Sequence, residues 1–325
     1  MTFITCLHTK NGEIMKFTKL FEEIDKRHLC EYGGKTVNLA VMKKMLHESI
    51  PDGFGVSGDA FLKYIENNPQ VNEWTRKVKK AYETKNVDKI IAEYPEFEKE
   101  FIQMPLPREI ENEIKETYRN LCRKEGIEDL SQCRVAVRSS AICEDCATSS
   151  LAGRFSSFID IAGEDDVVRH VKKVWASAYE PRAIHHRVIN DINIEGDKMG
   201  VTVQRFVRSR CAGVMLTSPT ADGSISTIGA VQVVQGIGED IVQGTKTGDY
   251  IEFDKVNEKE VYRMDSPTGE GCELTHDNFK TLVTIANLLE QHYGRPQDVE
   301  FVISPDNRVY VVQTRPVVPI SQCPR

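Results

Sequence analysis

Gln297-Asp298-Val299-Glu300-Phe301-Val302-Ile303, then Ser304-Pro305-Asp306-Asn307, then Arg308-Val309-Tyr310-Val311-Val312-Gln313-Thr314-Arg315 is the stretch with the most informative spacing in the chain. Apolar, β-branched runs on either side of a Ser-Pro-Asp-Asn turn predict a hairpin, with strands at 298–303 and 308–313. Pairing across that turn brings Glu300 to Gln313-Thr314-Arg315, so a carboxylate, an amide and a guanidinium converge. Oxygen donors of this kind suit Mg²⁺, which takes few protein ligands and keeps its other positions for water and phosphates. A guanidinium beside them suits a transferring phosphoryl group. The same residues also read as an exposed edge hairpin with a surface ion pair.

Upstream of the hairpin, β-branched runs at 201–203, 213–216, 231–234 and 250–253 predict strands, and Thr275 to Tyr293 predicts a helix. Earlier still, Val135 to Val137 and Phe158 to Ile161 read as strands, followed by a helix from Asp165 to Tyr179 and a shorter one opening at Pro181. Residues 71–125 are a run of charged amphipathic helices, with Trp74, Val78, Tyr82, Ile90, Ile91, Phe97 and Phe101 turned inward. Before them, Leu20, Phe21 and Ile24 predict a helix over 17–26. A second helix runs through Leu39, Met42 and Leu46, and Asp59 is placed to cap a third. Helices first and sheet later predict an α+β fold with two main lobes, a helical N-terminal part over 1–205 and a sheet-rich C-terminal part over 206–325.

With 325 residues, 40% hydrophobic and 28% charged, the chain has the composition of a soluble globular protein, and no apolar stretch approaches the roughly 18 residues of a membrane span. Lys10 and Glu13 interrupt the start too early for a secretory core, so a cytoplasmic location is expected. The net charge of −7 argues against a nucleic-acid partner, whose backbone affinity needs clustered cations. Nine irregularly spaced cysteines suggest reduced thiols rather than a disulfide framework. Cys143-Glu144-Asp145-Cys146 is a lone Cys-x-x-Cys: free thiols, a redox pair or, without a second such pair, poor material for a metal.

Three further segments offer phosphate or nucleotide chemistry. Gly33-Gly34-Lys35-Thr36 fails as a P-loop, because Leu29 stands where that motif needs glycine, yet it sets a cation at the start of a helix. An ordinary turn with a surface lysine is the alternative. Arg138-Ser139-Ser140 ends a strand and enters a small-residue loop reaching Gly153, which can close over a polyphosphate; a structural ion-pair arginine is as good a reading. Gln235-Gly236-Ile237-Gly238-Glu239 lacks the third glycine of a dinucleotide fingerprint, Ile241 standing there, but leaves Glu239 available to a ribose or base.

Taken in order, these segments resemble the N-terminal nucleotide-binding region of the phosphoenolpyruvate synthase, pyruvate phosphate dikinase and rifampicin phosphotransferase family. The likeness runs through Gly33-Gly34-Lys35, Ile50-Pro51-Asp52-Gly53-Phe54, Val137 to Ala141, Ala152-Gly153, Trp175-Ala176-Ser177, Val203-Gln204, Gly213-Val214-Met215, Gly236 to Glu239, Gln297 to Glu300 and Gln313 to Pro316. The resemblance implies an ATP-grasp-like fold in which two lobes clamp ATP and Mg²⁺. It implies phosphate contacts from Lys35, Arg138 and Arg315, with Ser139, Ser140 and Gly153 in the phosphate loops. It implies Mg²⁺ on Glu300 and Gln313, and Gln204 and Glu239 at the nucleoside end. In such enzymes ATP is converted to AMP and phosphate while a histidine on a swivelling domain is phosphorylated. The chain departs from the family pattern at Ile142-Cys143, Cys146-Ala147 and Gly248-Asp249, and ends at Arg325 with no Thr-x-His segment after the hairpin. The resemblance therefore implies a separate partner subunit carrying the phosphorylatable histidine and the acceptor site. A phenylphosphate synthase plan, with phenol as acceptor, and a pyruvate acceptor both fit; a nucleotide-sensing regulatory subunit that binds ATP without turnover is the alternative.

Overall fold

The computed structural model describes residues 9–10, 13–14, 16–141, 156–189, 198–236 and 246–317. The chain divides into two compact units, one of residues 1–37 and 52–205, the other of residues 38–51 and 206–325, so it passes between them after 37, 51 and 205.

In the first unit, β3 (Thr18–Leu20), β4 (Gly53–Val56), β5 (Val135–Ala141), β6 (Ser157–Ile161) and β7 (Met199–Arg205) form an antiparallel sheet in the order β3-β4-β7-β5-β6. A separate two-residue pair, β1 (Thr9–Lys10) and β2 (Glu13–Ile14), precedes it. Phe54, Val56, Val135, Val137, Val201 and Val203 alternate onto one face. That face is buried under α2 (Gly58–Glu66), α3 (Gln70–Glu83), α4 (Val87–Gln103), α5 (Arg108–Lys124), α6 (Glu164–Ser177) and α7 (Pro181–Ile189). Phe61, Tyr64, Phe101 and Trp175 fill the interior, each worth about 1.5–3 kcal/mol by removal from water. Of the expected inward positions, Trp74, Val78, Ile90, Phe97 and Phe101 are buried, whereas Ile91 is exposed and Tyr82 stacks on His185 at 3.8 Å.

Two local expectations give way here. Residues 17–26 are not a helix: Thr18–Leu20 pairs with Phe54–Val56, and only Phe21–Glu23 and Lys26–His28 make short 3-10 turns. The ladder bonds of β4 outweigh the weak helical period of so short a segment. The cap before α2 is Ser57, whose hydroxyl accepts from the Ala60 amide, while Asp59 pairs instead with Lys198 at 2.6 Å.

The second unit is built on a six-stranded antiparallel sheet. Its strands are β8 (Cys211–Leu216), β9 (Ile228–Gln235), β10 (Asp249–Asp254), β11 (Lys259–Met264), β12 (Gln297–Ile303) and β13 (Val309–Pro316), in the order β11-β10-β9-β8-β12-β13. The helix α8 (His276–Tyr293) starts at Thr275, whose hydroxyl accepts from the Asn278 amide, and ends at left-handed Gly294. It lays Leu282, Val283, Ile285, Ala286 and Leu289 toward β12 and β13. Its Glu290 and the neighbouring Lys255, both almost fully buried, form an ion pair joined by Ser218. Cys211 and Cys272 are joined as a disulfide, against the expectation of reduced thiols throughout. A bridge between Val234 and Gly271 brings the 270–272 segment beside the end of β9, whose other neighbour is the start of β8, a juxtaposition that the 61-residue separation of the two cysteines hides. Cys143 and Cys146 lie outside the described residues. Among the described residues no helix is long and apolar enough to cross a membrane.

Candidate functional site

On the first unit, the site grows from a broken helix. Of α1 (Leu29–Leu46) residues 29–37 belong to this unit, and the helix is interrupted at Gly33, whose φ of 77° and ψ of 166° stop one turn and start another. A Cβ at Gly33 would stand 1.9 Å from the Ser140 carbonyl oxygen, so only glycine lets the helix restart against the end of β5. The restarted turn is fixed by two hydrogen bonds. The Thr36 amide donates to Ser140 Oγ at 3.0 Å, and the Thr36 and Thr202 hydroxyls share a bond of 2.7 Å. Gly55 makes the same approach possible from β4, since a Cβ there would meet Tyr32 and Thr36. Lys35 thus stands half-buried in the first turn of a helix whose amide groups point at the end of a strand, a setting that attracts anions.

Strand alternation sorts the other predicted residues. Arg138 is opposite Thr202, Ser140 opposite Gly200 and Ala136 opposite Gln204, so Arg138, Ser140 and Gln204 share the sheet face on which Tyr32 to Thr36 lie. Ser139 falls on the other face, buried with Val137 and Val201 over the helices, and is not brought together with them. The Ser140 hydroxyl caps the restarted helix, a structural task that its sequence context did not signal. Gln204 is 2% exposed, and its Nε2 has no hydrogen-bond partner among the described residues. A buried donor left so costs about 1–3 kcal/mol, which a ligand acceptor would relieve. Gly153 and Glu239 lie outside the described residues.

On the second unit, the predicted hairpin forms, with Glu300 directly opposite Gln313 and Asp298 opposite Arg315. A bulge makes this arrangement. Phe301 pairs with Val311, but Glu300 pairs with Gln313, leaving Val312 as an extra residue. Unbroken alternation from Val309 and Val311, which are buried, would send Gln313 and Arg315 to the helix-packed face. The extra residue reverses the phase: Thr314 becomes buried, and Gln313 and Arg315 join Asp298 and Glu300 on the opposite face. Asp298 was not among the predicted site residues, although its position two before Glu300 on one strand places it on the same face. Its Oδ2 accepts from Arg315 Nε and lies as close to Nη2, each at 2.8 Å. Its Oδ1 is buried and has no hydrogen-bond partner among the described residues.

This face fits Mg²⁺ by its chemistry: the carboxylates of Asp298 and Glu300 and the amide oxygen of Gln313 are hard oxygen donors, and one carboxylate oxygen lacks a partner. Among the described residues no group of three or more His, Cys, Asp or Glu is gathered as a metal cage. A site of two carboxylates and one amide instead matches an ion that keeps positions for water and phosphate.

A family model described as the pyruvate phosphate dikinase AMP/ATP-binding domain matches residues 30–323. The chain is 34% identical over 318 residues to a probable phosphoenolpyruvate synthase of Archaeoglobus fulgidus, covering 92% of this chain and 41% of that protein. It is 31% identical over 353 residues to a probable phosphoenolpyruvate synthase of Staphylothermus marinus, again covering 92% and 41%. The chain thus spans about two fifths of the length of these curated relatives. Among solved structures, the D-alanine-D-alanine ligase from Coxiella burnetii matches with a TM-score of 0.30 at 13% identity, covering 63% of this chain and 39% of that one, a likeness too slight to carry an argument.

Proposed function

The chain belongs to the pyruvate phosphate dikinase AMP/ATP-binding domain family, and from that premise we propose that it is the ATP-using component of a dikinase-type phosphotransferase. In this reading Lys35 and Arg138 hold phosphates, Gln204 and Glu239 meet the nucleoside end, and Glu300 and Gln313, joined by Asp298, hold Mg²⁺. Mg²⁺ would neutralise phosphate charge as it builds up. Arg315, oriented by Asp298, sets its positive charge toward the transferring phosphoryl group. Phosphoryl transfer asks little covalent chemistry of a protein, mainly cations and positioning, and these side chains supply both. The acceptor is a histidine on a separate swivelling domain or subunit, with AMP and phosphate as products. That histidine passes its phosphoryl group to a small molecule such as phenol or pyruvate.

The observation that carries this reading is the bulge at Val312, which gathers two carboxylates, an amide and a guanidinium on one sheet face. The test is incubation of the chain and Mg²⁺ with ATP labelled at the β-phosphate and candidate histidine-bearing partners. Acid-labile label on a partner histidine, together with AMP, is expected. ATP binding with no AMP under any pairing would transfer the chain to the nucleotide-sensing class.

A further inference from the structure

We propose that Lys19 is a reactive amine, deprotonated by His28, and that small acyl phosphates acylate it. None of the residues assigned to ATP takes part, and the reaction needs no ATP turnover.

Lys19 is the middle residue of β3, half-buried and directly opposite Gly55. Its Nζ lies 2.8 Å from His28 Nε2, and among the described residues no carboxylate is in ion-pair range of it. An ammonium and a protonated Nε2 are both donors, so a contact this short needs a lone pair on one of the two nitrogens. Amine and imidazole thus hold one proton between them. The rest of the ring is fixed in place. His28 closes the 3-10 turn Lys26–His28, with Nδ1 3.1 Å from the Asp25 amide nitrogen and 3.2 Å from Asp25 Oδ1. Arg27 donates to both oxygens of Asp25, and these bonds hold that carboxyl well below the usual carboxylate range. The imidazole also stands edge-on to Tyr32, which is fully buried against Gly55.

Carboxylate, imidazole and amine, each within reach of the next, are the parts that activate a nucleophile: a base beside it and a third group that orients the base. His28 Nε2 takes a proton from Lys19 Nζ, and the Asp25 carboxylate beside Nδ1 stabilises the imidazolium that forms. The freed amine attacks the carbonyl carbon of the acyl phosphate. A C–N bond forms, the bond from that carbon to the phosphate oxygen breaks, and phosphate leaves with the electron pair. Of the three ammonium protons, one passes through His28 to water, one is taken up by the departing phosphate, and one stays on the amide. Charge selects the class of reagent. Lys26 and Arg27 stand exposed on the turn that carries His28, so an anionic acyl donor is drawn toward the amine.

The full chain is treated with acetyl phosphate, and the acetylation rate of each lysine is followed by mass spectrometry of its peptides. Lys16 is the internal control. Its side chain is 63% exposed and paired with Glu23, so accessibility alone would make it faster than half-buried Lys19. Lys19 is expected to be the faster of the two. His28→Gln should slow Lys19 by about 10–100-fold while leaving Lys16 and Lys26 within about twofold, as loss of a general base acts on one amine only. In His28→Ala, added imidazole should raise the rate at Lys19 relative to Lys16 and Lys26, a rescue that a merely structural histidine would not give. Should these variants fold poorly, the comparison of Lys19 with Lys16 in the wild-type chain decides by itself. Lys19 reacting no faster than Lys16 overturns the proposal, as does an unchanged rate at Lys19 in folded His28→Gln.

Discussion

The Arg315 guanidinium is held across the β12–β13 pair by Asp298, whose Oδ2 lies 2.8 Å from both Nε and Nη2. The contact leaves Arg315 45% exposed but fixes the plane of its fork, which a lysine at that position would lack. Because the Arg315 end of the pair is open to solvent, its share of stability is small. Asp298→Asn should therefore leave Tm nearly unchanged while lowering kcat for AMP formation by about 10–100-fold, as loss of an orienting partner does elsewhere. Turnover within twofold of wild type would remove Asp298 from the site.

Gly33→Ala puts a Cβ into the Ser140 carbonyl and asks alanine to adopt a φ of 77°. The helix restart must shift, and Thr36 must give up its bonds to Ser140 and Thr202. A loss of about 2 kcal/mol or more in denaturant unfolding is expected, with weaker ATP binding by calorimetry, because Lys35 moves with the turn.

The buried Lys255–Glu290 pair, with Ser218 bonded to both partners, should behave asymmetrically. Glu290→Gln leaves an ammonium buried without its countercharge and should cost about 3–5 kcal/mol. The double change Lys255→Met with Glu290→Leu removes both charges and should cost far less than the two single changes summed. Additive losses in urea titrations would show that the two charges do not depend on each other.

His170 is buried with Nδ1 2.7 Å from the Asp166 carbonyl and its ring edge-on to Phe158. Burial pushes its imidazole below the ordinary 6.5; the bond to Asp166 opposes this, and the charges of Lys173 and Arg169 add to the lowering. The unfolded chain therefore takes up a proton near 6.5 while the folded chain does not. This group makes folding weaker as pH falls from 6.5 toward its depressed folded value, and adds no slope above 6.5. His170→Gln should flatten the stability profile between pH 6.5 and 5 relative to wild type, measured by chemical unfolding at each pH.

Where a segment's own composition decides its conformation, the sequence sufficed. The 298–303 and 308–313 strands follow from their apolar runs, and the turn between them closes with Asn307 in the left-handed region that asparagine tolerates. α8 begins at Thr275 and ends at Gly294 because a hydroxyl cap and a glycine stop are local devices. Strand β11 was missed for the converse reason: all six of its residues are exposed at a sheet edge, so no alternation marks it.

What the tertiary structure alone decided is which side chains meet. Gln313 and Arg315 stand on the face of Glu300 only because Val312 is bulged out, and a bulge is a property of two paired strands, not of one. Ser139 and Ser140 look alike in sequence, yet pairing with β7 buries one in the core and sets the other under the restarted helix. Cys211 and Cys272 meet through the path of a sheet that their spacing does not encode. Periodicity and capping report what a short segment does with its own backbone and buried face; register and long-range pairing depend on a partner strand, and a one-residue change in them moves every side chain to the other side.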